Sequence, residues 1–528
     1  MGSPGGEQER RAIVARAGIV AGGTLASRLL GWVRDSVLAA IFPEAIRDTW
    51  IFAFTIPNTL RVLLGEGAAS GAFVPVLTEV HQKEGEARAA LFYGRLCGAM
   101  VMLLGVVTLV GVASPRVLTW LFASGLDSSR FELTVLQTRI VFPYIFLIGL
   151  AALGTAALQA RKRFAVPAWG SALLNVPLIA APFMLVGVSG ALGWPPITCL
   201  AMGALLGGAL QVAVQLPALR RAGLPILPRW PGKDPYVKKA LVLMAPLLVT
   251  LGVYELNVLL SNQLASYLPV GSRGYLYFGQ RIVEMPQGMF ALAIASATLP
   301  TLSELRARND SVELLRTFRY SLRLALFVAV PATVLLMVIA EPTVTMLYGR
   351  GEFAGHQIAQ TARSLVWQAA GIWAVASIRS VVQVFYACND TRSPVFCSAI
   401  NLVTYGAVAV SLMGPLLHVG LAMAISAASV MQLLGLVLLL RRRMGPLGFG
   451  EVWSSVWRIA LASFAAGMAG FFACVFGDWS RGGNDITNWV VFLGALVASV
   501  GVYFAVARAV GSVEVRELLV AVRRRRNV

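Results

Sequence analysis

Residues 12 to 41 read AIVARAGIVAGGTLASRLLGWVRDSVLAAI. The run exceeds the about 20 apolar residues that a bilayer crossing requires, yet Arg28, Arg34 and Asp35 stand inside it. An ionic side chain at mid-membrane costs roughly 2.5 to 3.5 kcal/mol on insertion scales, so a fold retains one only toward a partner or a wet cavity. The three charges therefore point to function. The run is too long for a signal-peptide core and has no small-residue cleavage site behind a compact apolar stretch, so it reads as a retained first helix.

The rest of the chain repeats that pattern. Of 528 residues, 57% are hydrophobic and 13% charged, and the mean hydropathy is +0.74. That balance leaves too little polar surface for a water-soluble domain and implies a polytopic, all-α membrane protein. About fourteen apolar segments of crossing length follow one another. They lie near 12–41, 46–79, 90–113, 131–159, 166–188, 194–219, 240–266, 273–304, 318–340, 357–386, 394–413, 418–440, 453–476 and 488–509.

Lys and Arg divide the connections into two classes. One class carries Lys83 and Arg88, Arg161 to Arg163, a cluster from Arg220 to Lys239, Arg306 to Arg319, Arg392, and Arg441 to Arg443. The alternate connections are nearly bare, with Arg47, Arg116, Arg130, Arg273, Arg350 and Arg481 and none near 189–193 or 413–418. Cationic loops stay cytoplasmic, so both termini, themselves basic, are expected there after an even number of crossings. The net charge of +19 is then largely topology.

Dispersed over short loops, these cations lack the recognisable reading motif of a nucleic-acid-binding domain. The basic end from Val513 to Arg526 fits either a topology anchor or a short amphipathic helix on anionic lipids. Five scattered cysteines (Cys97, Cys199, Cys388, Cys397, Cys474) and three histidines (His81, His356, His418) lack ligand spacing, so neither a disulfide framework nor a metal site is expected. With no nucleotide loop or nucleophile constellation, no enzymatic reaction and no cofactor are expected either.

An internal repeat with a period of about 226 residues organises the chain. Pro75 to Glu79 (PVLTE) answers Pro300 to Glu304 (PTLSE), and Thr119 to Phe122 (TWLF) answers Thr345 to Tyr348 (TMLY). Arg163 to Pro167 answers Thr391 to Pro394, and Asn175 answers Asn401. Segments one to six thus match seven to twelve, giving two pseudo-symmetric six-helix lobes, residues 1–225 and 226–447. Residues 448–511 add two further helices, and 512–528 form a basic cytoplasmic tail. Lobes of equal orientation are related by an axis along the membrane normal and enclose substrate near the midplane.

The charged residues are expected to line that cavity. Arg28 and Asp35 lie near one face of the first helix, with Arg34 about 120° round from Arg28. The second segment adds Asp48, Arg61 and Glu66 around Pro57, and the eighth adds Arg281 and Glu284 before Pro286. Prolines inside a crossing break its hydrogen-bond ladder and mark either moving helices or tight packing. Salt bridges such as Arg34 with Asp48, or Arg61 with Glu66, are the structural alternative to substrate contact. The guanidinium fork matches phosphate bidentately and stays charged, so Arg28, Arg34, Arg61 and Arg281 suit a diphosphate.

Five stretches carry a resemblance. They are Ser27 to Asp35 (SRLLGWVRD), Pro57 to Arg61 (PNTLR) with Glu66 to Pro75 (EGAASGAFVP), Arg281 with Glu284 to Pro286 (EMP), Arg350 to Phe353 (RGEF), and Phe385 to Pro394 (FYACNDTRSP). In this order the chain resembles, over nearly its whole length, the MviN/MurJ family of lipid II flippases of bacterial peptidoglycan synthesis, in the MOP exporter superfamily. The resemblance implies a carrier that moves lipid II, an undecaprenyl-diphosphate-linked disaccharide-pentapeptide, from the inner to the outer leaflet of the cytoplasmic membrane.

By the same resemblance, Arg28, Arg34, Arg61 and Arg281 match cavity arginines that engage the diphosphate, and Asp48 and Glu66 match acidic gate or pairing positions. The last two helices would form the groove for the lipid tail. Thr55 and Gln280 depart from residues common in the family, Lys and an acid. Ser261 and Tyr405 stand where some members place sodium ligands, so no sodium site is expected. A monomer suffices for such a cavity, and the cell-wall synthesis machinery is a possible partner. The rival readings are a flippase for another polyprenyl-diphosphate-linked saccharide and a MATE-like multidrug/cation antiporter, which would favour carboxylates over arginines. Membrane potential acting on the charged cavity is the expected driving force, since one charge crossing 100 mV is worth about 2.3 kcal/mol.

Overall fold

The computed structural model describes residues 4–63, 68–288 and 292–517. Among these, every extended regular element is a helix. The first half holds α1 (Pro4–Ile41), α2 (Glu44–Arg61), α3 (Ala68–Ala113), α4 (Pro115–Ala123), α5 (Ser128–Val141), α6 (Tyr144–Ala160), α7 (Ala165–Leu173), α8 (Asn175–Met184), α9 (Val186–Ala191), α10 (Cys199–Arg221) and α11 (Pro235–Ser266). The second holds α12 (Ser272–Pro286), α13 (Leu292–Ala307), α14 (Ser311–Val338), α15 (Ala340–Tyr348), α16 (His356–Ala369), α17 (Ile372–Ala387), α18 (Arg392–Leu416), α19 (His418–Met444), α20 (Gly450–Cys474) and α21 (Ile486–Ala509).

Ten helical stretches among the described residues are long and apolar enough to cross a bilayer. The chain is a multi-pass, all-α membrane protein, and a count of fourteen crossings fits it. The four expected crossings outside the set of ten are the first, second, seventh and eighth. Each of them carries ionic residues.

Several expected crossings are not continuous rods, for identifiable reasons. Pro143 has no amide proton and restricts Phe142, so the fourth segment divides into α5 and α6 there. The second and eighth segments both loosen into a π-type turn just after their prolines, at 62–63 and 287–288. Such turns recur at functional sites. In α3, Gly85 adopts φ 82° and ψ −178°, a conformation that admits glycine and parts the helix into two rods at the expected loop between the second and third crossings.

The duplication is visible in the order of elements. The nine-residue α4 and α15 each follow a long helix. Each precedes a fourteen-residue helix, α5 or α16, and then α6 or α17. The repeated threonines Thr119 and Thr345 are both fully buried.

The chain divides into two compact units, Met1–Tyr267 and Leu268–Val528. In the first, α1 lies along α7 and α8, α2 along α5, and α3 along α6 and α11. Phe92, Leu96, Met100, Leu104, Phe142 and Leu158 form the centre of its core. In the second unit, α14 packs on α17 and α20, α12 on α16, and α18 on α19. Leu314, Phe318, Val381, Val384, Phe385 and Leu436 lie at its centre.

Candidate functional site

The charges of α1 are held by a short polar network in the first unit. Arg34 donates from Nε and Nη2 to Asp35 Oδ1 (2.9 and 2.8 Å) and from Nη1 to Asn175 Oδ1 (3.0 Å). Adjacent helix residues point about 100° apart, so the long Arg34 side chain bends around α1 to reach its neighbour. Asn175 also donates from Nδ2 to the Ser27 carbonyl (3.3 Å). That residue opens α8, and the break between α7 and α8 puts its amide against α1. Asp35 is buried, and Arg28 is half-buried on the same helix.

The second helix contributes the next layer. Arg47, expected in a sparse outer connection, is instead fully buried in the first turns of α2. Its Nη1 donates to the carbonyls of Ala39 (3.1 Å) and Phe42 (3.3 Å), closing the C-terminal end of α1. Asp48 is buried beside it in sequence. Gln137 of α5 donates to Thr49 Oγ1 (2.9 Å) and fixes α2 against α5. At the other end of α2, Arg61 Nε donates to Asn58 Oδ1 (3.0 Å). Glu255 of α11 is buried and faces Thr59 and Arg61.

In the second unit, Arg281 Nη1 bonds Glu284 Oε2 at 2.9 Å, one helical turn on. The guanidinium also lies 4.9 Å from the Tyr277 ring centroid and 3.4 Å from its hydroxyl. Both partners of the ion pair keep more than a third of their side chains exposed, so the pair is accessible to an incoming anion. Arg379 of α17 donates to the Gln287 carbonyl (2.9 Å), holding the π-type turn that follows Pro286.

Of the residues singled out in sequence, Arg34 and Asp35 meet directly, and Asp48, Arg61 and Arg28 belong to the same unit. Arg281 and Glu284 form a pair of their own. Glu66 lies outside the described residues, as does the expected Arg61–Glu66 bridge. The sequence reading missed Glu255, although a lone acid between Pro235 and Ser266 was a usable signal. It also missed Arg379, and it used Asn175 only as a repeat marker. Which acceptor an arginine reaches depends on non-sequential packing.

A second charged cluster joins α3 to the start of α11, around the Gly85 break. Asp234, wholly buried, accepts from Arg88 (2.9 and 3.0 Å), Arg95 (2.9 Å) and the Tyr236 amide (3.0 Å). Burial alone would raise its carboxyl, but the two guanidiniums and the amide outweigh it and hold the group at about 2. Glu79 is likewise clamped, by Lys239 and Lys83. Tyr236 donates to Glu84. These pairs tie the start of the seventh crossing to both rods of α3, on either side of the Gly85 break.

The RGEF stretch is structural. Arg350 caps α15 at the carbonyls of Met346 and Leu347 (both 3.0 Å). It also reaches Gly483 O (2.9 Å) and Asn484 Oδ1 (3.1 Å) in the Trp479–Asn484 turn, fastening the α20–α21 hairpin. Asp390 of the last stretch caps α18 through the amides of Arg392 and Ser393 and pairs with Arg443.

Comparison with known proteins bears on this arrangement. The family described as lipid II flippase MurJ matches residues 38–491. A probable lipid II flippase MurJ of Vibrio cholerae is 37% identical over 396 residues, covering 73% of this chain and 75% of its own. The lipid II flippase MurJ of Burkholderia cenocepacia is 32% identical over 439 residues, covering 80% and 83%. Among solved structures, a lipid II flippase MurJ in an inward closed conformation superposes with a TM-score of 0.76 at 20% identity, over 95% of this chain and 99% of that one. An inward-facing multidrug resistance transporter of the MATE family and MOP superfamily gives 0.68 at 16% identity, over 80% and 96%.

Proposed function

The chain belongs to the lipid II flippase MurJ family, and from that premise we propose that it carries lipid II from the inner to the outer leaflet of a bacterial cytoplasmic membrane by alternating access. It is a transporter and catalyses no covalent step. The match over residues 38–491 carries this reading. The ionic residues kept inside α1, α2, α11 and α12 support it, because a membrane protein retains such groups where a charged cargo passes.

Arg28, Arg34, Arg61 and Arg281 engage the diphosphate. Their partners Asp35, Asp48, Glu66 and Glu284, with Glu255 added, hold the forks in place and exchange with the cargo. In this scheme Arg34 is the most structural of the four, because Asp35 and Asn175 occupy its fork. Arg281 is the most available, stacked on Tyr277 and half-exposed. Residues 1–225 and 226–447 are the moving lobes, 448–511 guide the polyprenyl tail, and both termini face the cytoplasm.

Replacing Arg28, Arg61 or Arg281 by Ala in cells depleted of their own flippase tests the scheme. Loss of growth rescue by each, with normal membrane insertion, is expected; full rescue by all three would remove the arginine–diphosphate mechanism. Translocation of labelled lipid II in vesicles separates this cargo from another polyprenyl-diphosphate saccharide. Indifference of that translocation to an imposed potential would exclude the potential as driving force. A MATE-like cation antiport has the fold in its favour, but four arginines suit an anion.

A further inference from the structure

At the start of α16 and the α18–α19 turn lies a groove of about 470 Å³ lined by Arg363, Val366, Trp367, Pro415, Leu416 and His418, among others. Its makeup is unusual for a lipid-facing surface. Arg363 is exposed and sits seven residues into α16, about 10 Å along the axis from His356. Among the described residues it has no carboxylate partner; it lies near His418, which is also near His356. An exposed guanidinium in a crossing segment reaches toward the headgroup layer, where an anion from outside the protein complements it.

The surroundings supply the rest of a receptor. His418 is buried and its Nε2 is bonded to the Gln360 carbonyl (3.2 Å), which fixes the first turn of the 27-residue α19 against α16. The Gly420 amide turns back to the Leu417 carbonyl (3.1 Å), while those of His418 and Val419 have no carbonyl partner within the helix and carry partial positive charge. Leu417, at φ 53°, turns the chain sharply so that Pro415 and Leu416 form an apolar wall. Trp367, one turn beyond Arg363, is 40% exposed, as interfacial tryptophans are. Phe396, Val403 and Val410 make α18 a peripheral, lipid-facing helix, so the groove at its end opens to the bilayer.

We propose that this groove is a binding site for an anionic phospholipid. The headgroup phosphate bonds Arg363 and the opening amides of α19, and an acyl chain lies over Val366, Trp367 and Leu416. Under the orientation proposed above, the turn without Lys or Arg places the site in the outer leaflet. The site is independent of lipid II recognition, so its failure would leave the flippase reading intact.

The test uses the full-length protein in detergent with phosphatidylglycerol bearing a photoreactive acyl chain, followed by peptide mapping, and titration by native mass spectrometry. Cross-links are expected in residues 360–367 and 413–419. Arg363→Ala is expected to weaken phosphatidylglycerol binding about five-fold, the contribution of one cation near a headgroup, while leaving the lipid-free melting temperature unchanged. Val366→Trp, which keeps the charge and fills the groove, should remove the same cross-links. Phosphatidylcholine should bind more weakly to the wild type, and millimolar inorganic phosphate should not compete. Cross-links that map elsewhere, that persist undiminished in both variants, or that inorganic phosphate abolishes would overturn the proposal.

Discussion

Replacing Asp234 by Asn removes one charge from the cluster that joins α3 to α11 and leaves the shape intact. In the folded protein this carboxylate is wholly buried and accepts four hydrogen bonds, three of them from the guanidiniums of Arg88 and Arg95. Holding the carboxyl at about 2 instead of 3.8 contributes about 2 kcal/mol at neutral pH. The same order follows from the contacts, since a hydrogen bond to a charged group is worth about 1.5 to 3 kcal/mol and the amide keeps part of it. In a unit of this size, Asp234→Asn should therefore lower the melting temperature by about 4 °C.

The pH dependence gives a sharper check. The folded-state pKa is depressed, so the stabilisation is fully present above 3.8 and disappears as pH falls through about 2. Thermal unfolding of the purified protein, followed by tryptophan fluorescence from pH 7 to the lowest pH it tolerates, should show a constant gap between variant and wild type down to about pH 4, narrowing below. A gap under about 1 °C at pH 7, or one that fails to narrow in acid, would refute the account of a buried carboxylate stabilised by two arginines.

Other changes read different parts of the molecule. Glu79→Gln breaks an exposed clamp with Lys83 and Lys239, so any destabilisation should vanish near 1 M salt, where the screening length is about 3 Å; persistence would mean the pair is not solvent-screened. Gly98→Ala would put a methyl 1.9 Å from the Arg229 carbonyl and should destabilise by about 1 to 3 kcal/mol. Gly105→Ala, with nothing within 4 Å, should be neutral or slightly stabilising, and equal melting temperatures for the two alanines would contradict the packing of the 222–234 loop on α3. Arg350→Ala removes the two bonds that fasten the α20–α21 turn together with the two that cap α15, and should speed protease cleavage near residues 479–484 while leaving the core folded. Arg61→Lys keeps the charge opposite Glu255 but loses the fork, and is expected to slow lipid II translocation about ten-fold with normal expression.

Much of the fold was legible in the sequence because bilayer crossing imposes a strong length and apolarity constraint. Each apolar segment coincides with one helix or with a run of two or three helices. The repeat was legible too, since Thr119 and Thr345 occupy matching buried places on α4 and α15. The interruptions were harder to see. Pro143 announced the α5–α6 break, and Pro177, which has no amide proton to give the Leu173 carbonyl, is the matching signal for the parting of α7 from α8 at Leu174. Arg47 was misread because a short polar connection resembles a solvent-exposed loop until the end of α1 folds over it.

By itself, the sequence determined that this chain crosses a membrane many times, that its two halves are copies, and that ionic groups are retained inside the first, second and eighth crossings. Those properties follow from composition and spacing, which act locally and leave a periodic trace. Only the tertiary structure decided that Arg34 turns to Asp35 and Asn175, that Arg47 closes α1, and that Glu255 faces Arg61. The physical reason is that a guanidinium has five donors on a long flexible stem, and the acceptor it reaches is set by which helix packs alongside. Spacing in the chain put the charges in the membrane, and packing between helices chose their partners.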